Sequence, residues 1–239
     1  VDVSQDFAQI FERIYVVNLD SRPDRLRGVE AQLARVGLRI DGGVVRRLPA
    51  VRPAEKGDWP SLGALGCYMS HLTILREARD DGLGAVAIVE DDLDFSRTFL
   101  AHPGPYLAAL RAPDWRMFHC GAVEEPAGRR PVRALAPGPD EAMRCTHFVA
   151  FRAPVIGALV DQLELFATRP NGHPEGGPMH VDGAYHTYRM RHPETPLLTF
   201  DPPLGVQRSS ASDITPAWHD RLPILRRGLA VARRLRQAL

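Results

Sequence analysis

Cysteine is scarce in this chain: three in 239 residues, Cys67, Cys120 and Cys145, widely spaced and odd in number. No two stand as C-x-x-C, so neither a zinc knuckle nor a disulfide framework is expected, and a reducing, cytoplasmic compartment fits. All three lie among apolar residues and read as buried, inert thiols. Long apolar runs are missing as well; none approaches the roughly 20 residues that span a bilayer. Residues 1–10 lack a basic segment followed by an apolar one, so they do not read as a leader. Charge of one sign is also lacking. Lys and Arg number 30 against 29 Asp and Glu, and a formal net charge of +1 gives no reason to expect nucleic acid as a partner. Two phosphate-binding signatures are absent. There is no G-x-x-x-x-G-K-S/T, and Gly82-Leu83-Gly84 precedes a strand where a dinucleotide fingerprint would follow one.

What is present is a globular composition, 44% hydrophobic and 25% charged, which excludes disorder for the bulk of the chain. Ile14 to Leu19 is a continuous apolar, β-branched run stopped by Asp20-Ser21-Arg22-Pro23, the pattern of a buried strand. Pro23 suits the first turn of a helix carrying Leu26, Val29, Leu33 and Val36, closed by Gly37. Val44 to Val51 is a weaker strand. Leu65, Tyr68, Met69, Leu72 and Leu75 mark a helix ending near Asp80, and Ala85 to Val89 is a second buried strand. Strand, helix, strand, helix, strand implies an α/β domain with parallel pairing. Further strands are expected at 116–120, 146–151 and 197–200. The Pro/Gly/Arg-rich stretch from Gly121 to Met143 reads as a loop or flap, and Gly172 to Pro178 as another loop.

Chemistry concentrates at Glu90-Asp91-Asp92-Leu93-Asp94, where a buried strand ends. Crowded carboxylates repel, by about 4 kcal/mol for a pair about 4 Å apart at an effective dielectric of about 20. A cation removes that cost, and hard oxygen ligands select Mg2+ or Mn2+. The carboxyl ends of strands are where open α/β sheets bind ligands. A metal there can bridge the phosphates of a nucleotide diphosphate. A solvated acidic turn capped by Asp94 is the plain alternative.

Other segments are less specific. Asn18, Leu19, Arg22 and Arg25 combine an amide, guanidinium groups and a helix start, parts that suit a uracil or diphosphate pocket or equally an ion-paired surface turn. Gly63 to His71 opens a helix with small residues, which permit close approach to a sheet or ligand. Ser70 and His71 then read as cleft contacts or as satisfied core groups. Asp182, between a Gly-rich loop and a helix, suits a general base for an acceptor hydroxyl, or an N-cap. His180 and Asp182 with His186, His192 or His219 are similar to the two-histidine, one-carboxylate triad of Fe(II)/2-oxoglutarate oxygenases, a remote alternative that requires an all-β core. The tail from 220 carries six arginines and a leucine stripe. It reads as a basic amphipathic helix for peripheral contact with an anionic inner membrane, or as a helix docked on its own domain.

In order along the chain, Ile14 to Leu19 with Arg22 and Arg25, Gly63 to Leu72, Ala87 to Asp92, Thr146 to Ala150, Val181-Asp182 and Gln207 to Ile214 resemble glycosyltransferase family 25. That family includes lipopolysaccharide and lipooligosaccharide glycosyltransferases and collagen galactosyltransferases. The resemblance implies a GT-A-type, nucleotide-diphospho-sugar transferase-like α/β domain with a mostly parallel central sheet over residues 1–215, followed by the basic helix at 216–239. It implies a UDP-sugar donor, often UDP-galactose, a hydroxyl-bearing glycan or other acceptor, Mn2+ or Mg2+, and inversion at the anomeric carbon. Under it, Asp92 is the first choice of metal ligand, with Glu90 and Asp94 beside it. Asn18, Leu19, Arg22, Arg25, Ser70, His71, Glu90, Asp91, Gln207, Ser209 and Ser210 fall on the donor side, and Asp182 is the candidate base. A non-catalytic nucleotide- or glycan-binding relative of the same fold is the alternative.

Overall fold

The computed structural model describes residues 2–128 and 130–208. Ser209, Ser210 and the basic segment 216–239 lie outside the described residues.

The scaffold is a seven-stranded sheet. Its strands are β1 (Arg13–Asn18), β2 (Val45–Pro49), β3 (Ala85–Glu90), β5 (Met117–Cys120), β6 (Arg133–Leu135), β7 (Phe148–Arg152) and β8 (Leu197–Asp201), in the order β2-β1-β3-β7-β5-β8-β6. Pairing is parallel for β1–β2, β1–β3 and β5–β8 and antiparallel for β3–β7, β5–β7 and β6–β8. Five strands therefore run one way and only β6 and β7 oppose them, which makes the sheet mostly parallel. A small ribbon joins β4 (Leu93–Phe95), immediately after the acidic strand end, to β9 (Gly205–Gln207).

Both faces of the sheet are covered. On one face α1 (Val3–Ile10), α2 (Pro23–Arg35), α4 (Arg97–Ala101) and α5 (Gly104–Arg111) pack an aromatic core built on Phe7, Phe11, Phe99, Phe118 and Phe148. On the other, α3 (Leu62–Asp80), α6 (Val155–Thr168) and α7 (Val181–Arg191) enclose Tyr68, Leu72, Phe151, Leu159 and Tyr185. Two-sided burial is why β1 and β3 read as continuous apolar runs without alternation. The helix from Pro23 closes as expected. Gly37 takes φ 75°, a left-handed conformation free of strain only for glycine, and Leu38 N–H returns to the Leu33 carbonyl at 3.0 Å. Ser61 starts α3 by accepting from Ala64 N–H at 3.0 Å.

One expectation needs correction. The stretch from Gly121 to Met143 is not all loop, since β6 pairs with β8 at the sheet's edge. All three β6 residues are exposed, so no alternation betrays them. Nor are all three thiols sealed in: Cys120 is buried, whereas Cys67 and Cys145 are partly exposed. No helix among the described residues is long and apolar enough to cross a membrane.

Candidate active site

The parallel strands β1, β2 and β3 end side by side, and their carboxyl ends, the start of α3 and Gln207 of β9 surround a cavity of about 260 Å3. Asn18, Leu19, Arg25, Glu90, Asp91 and Asp92 all reach its wall. The structure thus brings together residues separated by more than 70 positions.

The four carboxylates of the acidic run have different partners. Asp91 is buried and held by Asn18 Nδ2 at 2.7 Å and by an Arg25 guanidinium nitrogen at 2.8 Å. Asn18 Nδ2 also donates to the Arg22 carbonyl at 3.1 Å, tying the α2 start to the acidic strand. Burial still raises the Asp91 pKa, with Arg25 the main opposing influence. Asp94 is paired with Arg208, whose Nε lies 2.9 Å from its carboxylate. Glu90 turns to the α3 face, where Thr146 donates to its Oε1 and His71 Nε2 stands 3.6 Å away. Burial opposes its ionisation, but His71 and Thr146 outweigh that and hold its carboxyl below the ordinary value. Asp92 accepts from Gln207 Nε2 at 3.1 Å on one oxygen, with Arg25 3.8 Å from the same atom. Its other oxygen, Oδ1, is buried and has no partner. Burial, then the charge on Glu90, pushes the Asp92 carboxyl up to about 7.

A buried carboxylate oxygen without a donor, among further carboxylates, suits a hard divalent cation. Asp92 could hold it; Asp94 could do so only by giving up Arg208. Arg22 pairs with Asp24 at 3.0 Å and does not line the cavity. Ser70 and His71 are fully buried and do not line it either. Ser70 accepts from Val51 N–H at 2.8 Å and donates to the Gly66 carbonyl at 2.6 Å, fastening α3 to the segment after β2. Asp182 lies in the first turn of α7, where His180 is the N-cap. Its oxygens accept from Cys145 N–H at 3.1 Å and Gly183 N–H at 2.8 Å. Cys145 has φ 64°, a strained conformation for a residue with a side chain, and the Asp182 contact and His119 Nε2 on its carbonyl at 2.7 Å hold it there. The all-β core that an oxygenase triad requires is absent, because α7 carries Asp182 and His186 beside a mixed α/β sheet.

Three site residues escaped sequence reasoning. Arg208 was hidden within a polar segment, and Thr146 shows its role only once β7 is placed beside β3. Cys67 does carry a signal, its four-residue spacing to His71 on α3.

With this geometry in view, similarity to known proteins becomes informative. The family model for glycosyltransferase family 25 (LPS biosynthesis protein) matches residues 48–116. The chain is 30% identical over 105 residues to the human inactive glycosyltransferase 25 family member 3, covering 37% of this chain and 18% of that protein. It is 27% identical over 129 residues to procollagen galactosyltransferase 1 of Danio rerio, covering 46% of this chain and 21% of that protein. The chain thus spans about a fifth of the length of these curated relatives. A glycosyltransferase involved in glycosylation of the major capsid of PBCV-1 superposes with a TM-score of 0.50 at 14% identity, covering 84% of this chain and 93% of that one. The fold is therefore of the GT-A-like glycosyltransferase class. Within that class, the sequence matches assign the chain to glycosyltransferase family 25.

Proposed function

We propose that the chain is an inverting, divalent-metal-dependent glycosyltransferase that moves a hexose, galactose in the first instance, from a UDP-sugar to a hydroxyl of a glycan or other acceptor. The observation that carries this reading is the buried, partnerless Oδ1 of Asp92 at the wall of a cavity that also holds Arg25. Mn2+ or Mg2+ bound there would neutralise the diphosphate and make it a better leaving group. Arg25 adds positive charge on the same side, and Asn18 and Leu19 at the end of β1 suit contacts to the nucleotide. In the transfer, the acceptor oxygen bonds to the anomeric carbon as the bond from that carbon to the diphosphate oxygen breaks. The electron pair leaves with UDP and the hydroxyl proton passes to Asp182. Attack opposite the leaving group inverts the anomeric centre.

A second reading has an observation of its own, because several of the similar curated proteins are named inactive. In that case the cavity would bind a sugar nucleotide without transfer. Thermal shift across a panel of UDP-sugars, with and without Mn2+, tests the site, since a ligand bound only by the folded state raises the melting temperature. The proposal expects a metal-dependent shift that Asp92→Ala abolishes, together with slow hydrolysis or transfer of radiolabelled UDP-galactose. Binding without turnover under any acceptor would favour the inactive relative. Absence of binding by every UDP-sugar would overturn both.

A further inference from the structure

Cys67 and His71 are four residues apart on α3, so their side chains leave the same face one turn apart. Glu90, at the end of β3, meets them. Its Oε1 lies 3.9 Å from Cys67 Sγ and 3.6 Å from His71 Nε2, and the three ligand atoms are all within 4.8 Å of one another. His71 is fully buried, and its Nε2 has no hydrogen-bond partner. Leaving such an atom unsatisfied costs about 1–3 kcal/mol, so the fold tolerates an orphan here that a ligand would satisfy. The remaining contacts are those of a prepared site. His71 Nδ1 meets the Tyr185 hydroxyl at 2.9 Å, and Thr146 donates to Glu90 Oε1. Outer partners of this kind orient imidazole and carboxylate ligands toward a metal.

The geometry points to a soft-ligand cation site of the zinc class at Cys67, His71 and Glu90, separate from the hard-oxygen site at Asp92. Zinc bonds of about 2.0–2.3 Å at tetrahedral angles put nitrogen and oxygen ligands about 3.4 Å apart and sulfur and oxygen about 3.6 Å apart. The observed separations exceed those edges by only a few tenths of an ångström. Thiolate and imidazole favour zinc over magnesium or manganese. Charge also balances: one thiolate and one carboxylate neutralise a divalent ion in a site that water reaches poorly. On binding, the Cys67 S–H bond breaks, its proton goes to solvent, and the sulfur lone pair forms the metal bond. Cys67 and Glu90 both border the 260 Å3 cavity, so the fourth ligand position faces it.

Cobalt titration of the full chain, stripped of metal by a chelator, tests this site. The wild type should develop a near-ultraviolet thiolate-to-cobalt charge-transfer band that saturates at a single equivalent and disappears on adding Zn2+. Cys67→Ser should lose the band, while Cys145→Ser and Asp92→Asn keep it. His71→Gln should weaken zinc at least about tenfold, and Tyr185→Phe by about tenfold. A band that is absent, that survives in Cys67→Ser, or that vanishes in Asp92→Asn would overturn the assignment. Should Cys67→Ser not fold, alkylation of the wild type decides: Zn2+ should protect Cys67 and leave Cys145 as reactive as before, and equal reactivity of Cys67 with and without zinc refutes the site. Loss of UDP binding in Asp92→Asn with the cobalt band intact keeps this result distinct from the fate of the transferase proposal.

Discussion

At the scale of single residues, two buried groups near the acidic strand end titrate in opposite senses. Asp92 has its carboxyl pushed up to about 7 by burial and by Glu90, with Arg25 and Gln207 offsetting part of it. The native state therefore keeps a proton that the unfolded chain releases near pH 4. That stabilisation is complete below about pH 4 and is lost as pH rises through about 7. His147 is the reverse case. Burial drives it down to about 4, against the attraction of Glu90, and neither ring nitrogen has a partner. Its contribution is present above the ordinary value near 6.5 and is lost as pH falls through about 4. The windows overlap, so the two slopes offset each other in the metal-free wild type. Asp92→Asn should melt higher than the wild type at pH 8, by an amount on the order of a few kcal/mol, with the gap closing toward pH 4. The same variant should lose stability more steeply than the wild type between pH 7 and 4.5, because the His147 dependence is no longer masked. His147→Phe should flatten that limb. Melting curves of metal-free protein across this range check all three outcomes, and parallel profiles for wild type and Asp92→Asn would contradict them.

At the scale of elements, the approach of α3 to the segment after β2 shapes the cavity. A Cβ on Gly66 would stand 2.5 Å from the Val51 carbonyl oxygen and 3.3 Å from Pro53 Cδ. Alanine in a helix normally gains about 1 kcal/mol over glycine, but here backbone must move, so Gly66→Ala should cost about 1–3 kcal/mol and weaken UDP binding. Gly157 on α6 is the control. A Cβ there meets nothing within 4 Å, and Gly157→Ala should stabilise by about 0.5–1 kcal/mol without changing binding. Denaturant unfolding and UDP calorimetry on the pair separate the two effects. Elements of this kind were legible in advance where one local signal sufficed. The apolar run at Ile14, the Pro23 start, the Gly37 stop and the Ala85 run each mark an element that forms within two residues of its expected bounds. Helices α1, α4, α5 and α6 and the short strands β4, β6 and β9 were not. Their residues are few or mostly apolar, or they owe their order to pairing partners far along the chain, as Leu93 does to Gln207. The same division holds in the site. The carboxylates at a strand end announced themselves, but only tertiary placement shows that Arg25 and Asn18 take Asp91, Arg208 takes Asp94, and Asp92 keeps an open oxygen.

At the scale of the whole molecule, one arginine connects α7 to the excursion between β5 and β7. Arg189 is 2% exposed, and its guanidinium donates to the carbonyls of Pro137 at 2.7 Å, Gly138 at 2.6 Å and Glu141 at 3.2 Å. Burial lowers its pKa, although carbonyl oxygens satisfy two of its three nitrogens and Glu141 and Asp140 favour its charge. The excursion then returns through Cys145, bonded to Asp182, and Thr146, bonded to Glu90. Arg189 therefore anchors a segment whose far end touches the candidate base, whereas none of residues 121–147 lines the donor cavity. Arg189→Met preserves the aliphatic stem and removes every anchor bond. Charge-assisted hydrogen bonds of this kind are worth about 1.5–3 kcal/mol, and for a chain of this size 1 kcal/mol corresponds to about 2–4 °C, so the melting temperature should fall by several degrees. Limited proteolysis should cut faster between 121 and 144. Because the anchor serves the Asp182 side alone, UDP affinity should hold while transfer to acceptor declines. Matched loss of UDP binding and transfer would instead mean that Arg189 supports the whole fold and not this segment in particular.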